Sequence, residues 1–400
     1  MAHNDEKPPF GAAFYCRNTP QPFVKSIAAS WPSKQRWEVV RYRLAIAVIL
    51  PLASVIWLNR GVDAAPEGRA AAKAANSSAG ASNNPTSLAK LKALYRRPAK
   101  AEFPSDNPFS EAKAALGRKL FFDTALSGPR THSCGTCHQP SLAWADGRAR
   151  ALGVNGQTLP LRTPTLVDVW SVPVLGWDGK FPDLESVAFT PILSPGNMGM
   201  PSAEEAVRRV NENPDYSPLF ADAFDTPEIT QRKIELALAT FERTITSRDA
   251  PFDRWIKGDE RAISRSAKRG FVLFNGKANC AACHSGPSFT DGSFHDIGSA
   301  TDGDIGRGRM FPNSEKLRYA FKVPTLREVD RRAPYMHDGA VASLQDVIAL
   351  YDKGGIDRPS RSDEIRPLHL TRREKNDLLA FLRTLTAKPD IKAPASAGAN

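Results

Sequence analysis

Cys134-Gly-Thr-Cys137-His138 recurs, with different filler, as Cys280-Ala-Ala-Cys283-His284. Cys-x-x-Cys-His is the attachment signal for c-type haem. Its two thiols form thioethers to the porphyrin vinyl groups, and the adjacent His ligates the iron. One Cys-x-x-Cys could serve as a thioredoxin-like redox pair, and four thiolates could hold zinc. Neither explains a His directly after each pair. Two covalently bound haems c are therefore expected on Cys134, Cys137, Cys280 and Cys283, with His138 and His284 as the iron ligands. Such a chain does redox chemistry.

Of five cysteines, only Cys16 is left over, so no disulfide framework is possible. The core and the haems must hold the fold together. With 400 residues there is room for two haem domains and extended ends.

A longer internal repeat surrounds the motifs and shows which elements must position them. Gly117-x-x-Leu120-Phe121 precedes the first Cys pair, and Gly270-x-x-Leu273-Phe274 precedes the second. After each motif comes Pro-Thr-Leu, at Pro164-Thr165-Leu166 and Pro324-Thr325-Leu326, followed by an acidic residue and Val. Trp177-Asp178-Gly179 and His337-Asp338-Gly339 then occupy matching places, as do Leu184 and Val187 with Leu344 and Val347. This ordered series predicts two tandem cytochrome c-like domains, residues 106–248 and 249–388. The fold class is mainly α. Ser110 can cap a helix running through Leu120, Ile234–Phe241 has helical apolar spacing, and Thr371 introduces another helix through Leu382.

The ends suggest location. Leu44–Leu58 is an uncharged apolar run behind Arg41 and Arg43, which suits a signal-peptide core or membrane anchor. Residues 1–43 would then stay cytoplasmic and the rest would be exported to the periplasm, tethered to the inner membrane if residues 44–58 are not cleaved. Residues 59–105, rich in Ala, Ser, Asn and Pro, read as a flexible linker, and 389–400 as a loose tail. Of the net charge of +11, residues 1–43 carry +4 and residues 59–105 carry +5. The haem domains are thus nearly neutral, and nucleic-acid binding is not expected.

The segments GRKLFFD, CGTCH, RTPTL, WDGK, PILSPGNMGM, CAACH, KVPTL and APYMHDG resemble the bacterial di-haem cytochrome c peroxidase family, including its MauG branch, over residues 106–388. The resemblance implies a periplasmic enzyme in which the second haem is a low-spin electron port and the first reacts with hydrogen peroxide. In the family the port haem takes its sixth ligand fourteen residues after the His of HDG, which here is Tyr351. Ordinary peroxidases have Met there and the MauG branch has Tyr. Met336, Met310 and His295 are rival ligands.

The matching place in the first repeat is Pro191, which cannot ligate iron. The His that closes this haem in some peroxidases is replaced by Val154. No His occurs between 139 and 283, so the iron at His138 should be open. Trp177 aligns with the family's electron-conducting Trp between the haems.

Two departures accompany these matches. The distal Glu and Gln that move protons in the family align with Asn197 and Val187, and Asn cannot relay a proton as a carboxylate does. The family's side-chain ligands for calcium align with Arg162 and Arg332, so calcium is not expected. Guanidinium charge would stand near the haem propionates instead.

The leading expectation is peroxide reduction with electrons from a small periplasmic donor, a cytochrome c or a cupredoxin. The alternatives are a MauG-like enzyme that oxidises a partner protein, favoured by Tyr351, and a non-catalytic electron-transfer cytochrome.

Overall fold

The structure, a computed structural model, describes residues 85–301 and 303–388. The expected cytoplasmic segment, the apolar run Leu44–Leu58, most of the linker and the tail lie outside the described residues. Twelve α-helices follow one another in the described chain: α1 (Pro85–Ala93), α2 (Glu111–Phe122), α3 (Cys134–Cys137), α4 (Leu184–Val187), α5 (Phe189–Leu193), α6 (Ala203–Asn211), α7 (Tyr216–Phe224), α8 (Gln231–Arg243), α9 (Pro251–Ile256), α10 (Arg265–Asn275), α11 (Leu344–Lys353) and α12 (Arg372–Arg383). The described strands are a short antiparallel pair, β1 (Phe294–His295) and β2 (Phe321–Lys322), with Phe294 opposite Lys322. The chain is mainly α, as its periodicity indicates.

Capping residues set the helix starts. Ser110, Thr230 and Thr371 each accept the third backbone N–H of α2, α8 and α12, and Glu374 returns a bond to the Thr371 N–H to complete a capping box. Each such cap stabilises its helix by about 1 kcal/mol.

The repeated glycines have a packing cause. A Cβ on Gly117 of α2 would lie 1.9 Å from the Ala237 carbonyl oxygen of α8. On Gly270 of α10 it would lie 2.0 Å from the Asp377 carbonyl oxygen of α12. Only glycine lets each helix pair cross this closely. The same contact equates Phe241 with Phe381, since each offers its Cβ to the glycine of its own pair.

Two core clusters result. Leu116, Leu120, Phe121, Ile234 and Phe241 belong to one, and Phe252, Trp255, Phe271 and Phe381 to the other. A buried ion pair braces each: Arg243 holds Glu185 through two bonds of 2.6 and 2.9 Å, and Arg327 holds Asp253 at 2.8 Å.

One expectation needs correction. The linker assigned to residues 59–105 is structured from residue 85 onward. Leu88 and Leu91 of α1 pack on the second core, and Tyr95 is fully buried in it, donating to Asn275 Oδ1 at 2.5 Å. Ala-rich composition masked the spacing of Leu88, Leu91 and Tyr95, which put three apolar side chains on one helical stripe.

Candidate functional site

Both Cys-x-x-Cys-His segments fold into a tight turn. The His138 N–H donates to the Cys134 carbonyl at 2.9 Å, and the His284 N–H donates to the Cys280 carbonyl at 2.9 Å. In the first motif, Thr136 Oγ1 accepts the Ser133 N–H and fixes the start of α3. A Cβ at Gly135 would fall 2.4 Å from the Phe122 ring, so this filler position must stay glycine.

Each histidine is oriented by a backbone carbonyl. His138 Nδ1 lies 3.1 Å from the Trp144 carbonyl oxygen, and His284 Nδ1 lies 2.9 Å from that of Phe289. An Nδ1–H bond to a carbonyl leaves Nε2 as the ligand atom. Burial lowers the pKa of both imidazoles, so they stay neutral and able to ligate.

The repeated Pro-Thr-Leu explains how these carbonyls are held. Thr165 Oγ1 donates to the Ala143 carbonyl at 2.6 Å, and Thr325 Oγ1 donates to the Ser288 carbonyl at 2.6 Å. These carbonyls belong to the residues just before Trp144 and Phe289. Both of those residues have positive φ, 59° and 53°, which points their carbonyls back at the histidines. The threonines therefore anchor the loops that orient the iron ligands, a role that the bare motif does not reveal.

Around Cys280, Cys283 and His284 lies a mostly apolar cavity walled by Phe274, Leu326, Leu344, Ile348 and Leu378. Tyr351 of α11 lines it. Burial raises the pKa of the Tyr351 hydroxyl, and Cys283 and Cys280 raise it further. The rival ligands Met336 and His295 share this cavity, whereas Met310 is 42% exposed. Cys283, Asp291 and His295 bring three possible metal-ligand atoms within 4.8 Å, but a thioether on Cys283 removes its thiolate.

Trp177 also lines this cavity. Its indole N–H donates to the Arg162 carbonyl at 3.0 Å, and its own carbonyl accepts the Lys322 N–H at 2.8 Å. The Arg162 N–H in turn donates to the His337 carbonyl at 2.9 Å, and His337 stacks on Phe321 with centroids 3.7 Å apart. Three cations gather here. The Arg162 guanidinium donates to the Arg332 carbonyl at 2.9 Å, while Nε of both arginines is buried without a partner among the described residues. Burial and neighbouring guanidinium charge lower Arg332 to about 10 and Lys322 to about 8. Haem propionates, the carboxylates expected beside these donors, would satisfy them. The donor set does not fit calcium, which needs oxygen ligands.

Three further residues expected at the first site, Pro191 of α5, Asn197 and Val154, are linked through backbone hydrogen bonds. The Pro191 carbonyl accepts the Met198 N–H at 3.2 Å, and the Asn197 carbonyl accepts the Val154 N–H at 3.0 Å. Met198 and Met200 join the core against which Cys134 packs. Val187 packs separately, on the small cluster of Leu175, Leu184 and Ala239. A residue that sequence reasoning missed is Glu242, whose carboxyl acts on the Cys134 thiol.

A family model for di-haem cytochrome c peroxidase matches residues 111–261, and one for cytochrome c matches residues 267–386. The methylamine utilization protein MauG of Methylorubrum extorquens is 50% identical over 304 residues, covering 76% of this chain and 86% of that protein. The chain belongs to the di-haem cytochrome c peroxidase family. The cytochrome c551 peroxidase of Nitrosomonas europaea, at 32% identity, covers 74% of the chain and 86% of its own length. Among solved structures, a MauG-like protein associated with microbial copper homeostasis matches with a TM-score of 0.68 at 32% identity, covering 74% of this chain and 94% of that one.

As a member of this family the protein is an oxidoreductase with two covalently bound haems c. When bound, the haems supply one-electron and peroxide chemistry. The chain supplies two oriented histidines, a cationic seat for carboxylates, and a Trp and a Tyr in the wall of the second site.

Proposed function

We propose that this protein is a MauG-like periplasmic oxidoreductase: it consumes hydrogen peroxide at the first haem and uses the oxidising equivalents on a partner protein. The observation that carries this reading is Tyr351 in the wall of the second haem cavity. A phenolate on that iron stabilises the oxidised form, whereas the Met of ordinary peroxidases favours the reduced form. A centre biased toward oxidation is poorly suited to collecting electrons from small carriers and well suited to storing oxidising power. The 50% identity to a MauG supports the same choice. Periplasmic residence is supported by the two haem c motifs, which are completed after export, and by the apolar run Leu44–Leu58.

In this reading His138 would hold the first haem, and Pro191 would offer it no side-chain ligand. Asn197 would offer a hydrogen bond to peroxide, Trp177 would carry electrons between the haems, and Tyr351 would be the second haem's further ligand. Calcium has no part, because Arg162 and Arg332 occupy its place.

The test is to oxidise the purified di-haem protein with one equivalent of peroxide and follow its decay spectrally. The oxidised state should persist in the presence of reduced cytochrome c or cupredoxin. Rapid steady-state oxidation of either carrier would instead identify an ordinary peroxidase. A protein inert to peroxide would be an electron-transfer cytochrome.

A further inference from the structure

The two helix crossings share one register, so residues of one domain can be matched to the other by contact. Gly117 meets Ala237 and Phe241, and Gly270 meets Asp377 and Phe381. Glu242 therefore corresponds to Leu382. Leu382 lines the second haem cavity, so a carboxyl occupies in the first site the place that an apolar side chain fills in the second. Burial, and after it the Glu242 charge, raise the pKa of the Cys134 thiol, in keeping with that register.

This carboxyl makes no hydrogen bond or ion pair with the described residues, although the other charges near it do. Arg243, next in sequence, turns to Glu185 on α4. On α2, Lys113 donates to Asn107 and Pro108, Lys119 pairs with Asp215, and Arg118 lies over the Phe122 ring. On α6, Arg209 and Arg208 bind Glu205. Asp168, before the turn that touches α8, accepts from Ser247. Burial, and secondarily Glu185, push the Glu242 carboxyl up to about 8, against the pull of Arg243. An isolated acid in such a place is held neutral near physiological pH.

We propose that Glu242 is a redox-linked proton site of the first haem, holding a proton while the iron is ferrous and releasing it when the iron becomes ferric. Oxidation removes one electron from the iron to an acceptor, the dye mediator of a redox titration. The carboxyl O–H bond breaks and its proton goes to solvent. Reduction reverses both transfers. The cause is electrostatic: the added positive charge on ferric iron favours the neighbouring carboxylate over the acid. The proposal requires only that the first haem be bound, so it stands for either reading of the substrate.

Spectroelectrochemical titration of the di-haem protein across roughly pH 6 to 10 tests it. The potential of the first haem should fall with rising pH at the slope of one proton per electron, while the second haem changes much less. Glu242→Gln should flatten that dependence and leave the potential at its low-pH level. Leu382→Glu should transfer a pH dependence to the second haem. In the parent, redox-difference infrared spectra should show a protonated carboxyl C=O band in the ferrous state that disappears on oxidation. A pH-independent first haem in the parent, or a dependence that survives in Glu242→Gln and so belongs to the propionates, would overturn the proposal. If Glu242→Gln does not fold, an absent infrared band would overturn it equally.

Discussion

Arg162 ties Trp177 to His337: its carbonyl accepts the Trp177 indole N–H at 3.0 Å, and its N–H donates to the His337 carbonyl at 2.9 Å. One backbone unit thus joins the two residues that occupy matching places in the repeat, WDG and HDG. It fixes the indole in the wall of the second cavity. Trp177→Phe keeps an aromatic ring but loses that bond and the larger π-system. Peroxide binding and the spectra of both haems should stay at parent values while electron transfer between them slows by at least about tenfold, roughly 1.4 kcal/mol of barrier. Stopped-flow traces at two wavelengths, one for each haem, would measure this.

The Thr325 hydroxyl should matter more than its small size suggests. Thr325→Val removes the bond to the Ser288 carbonyl and loosens the loop that aims the Phe289 carbonyl at His284. A stability loss of about 1–3 kcal/mol is expected from the carbonyl left unpaired. The low-spin spectrum of the second haem should shift, and the first haem should not. Thr165→Val should do the reverse. Denaturant titration and absorption spectra of both variants check the pair.

Breaking the Arg243–Glu185 pair should cost much more than breaking a surface pair. Arg243→Met leaves the Glu185 carboxylate buried with Asn107 as its remaining side-chain donor. The expected loss is about 3–5 kcal/mol. Burial alone would raise the Glu185 pKa, but Arg243 and Asn107 outweigh it and hold the carboxyl below its usual range. The stabilisation from this pair is thus full above the ordinary Glu pKa and fades only as acid titrates the depressed one. Unfolding midpoints of parent and variant should converge in strong acid.

Calcium removal should be without effect. Arg162 and Arg332 bring two buried guanidinium groups together, and both Nε atoms lack partners among the described residues, a setting that repels a divalent cation. Metal analysis of the purified protein should find no stoichiometric calcium, and EGTA should leave both haem spectra unchanged. Loss of coupling between the haems on chelation would show that the cation seat has been misread.

Much of this site was legible in the sequence because haem attachment and ligation demand fixed residue types at fixed spacing. The two Cys-x-x-Cys-His motifs and the two-domain repeat show directly, and through the family resemblance so does Tyr351. Spacing gave no reason for the repeated Thr165 and Thr325, whose role depends on loops some twenty or more residues earlier in the chain. Glu242 was hidden for a similar cause. In the sequence it reads as one more polar residue after Phe241, and only the crossing of α2 and α8 matches it to the cavity-lining Leu382. The structured part of the linker was missed because Ala and Ser outnumber Leu88, Leu91 and Tyr95.

The most direct measurement is the electron paramagnetic resonance spectrum of the fully oxidised di-haem protein, parent beside Tyr351→Met. The parent should show one high-spin ferric centre, from the open haem at His138, and one low-spin centre, from the haem carrying Tyr351. Tyr351→Met should shift only the low-spin signal and raise only that haem's potential. Two low-spin centres in the parent, or a low-spin signal unmoved by Tyr351→Met, would contradict an open first haem and a tyrosine-ligated second.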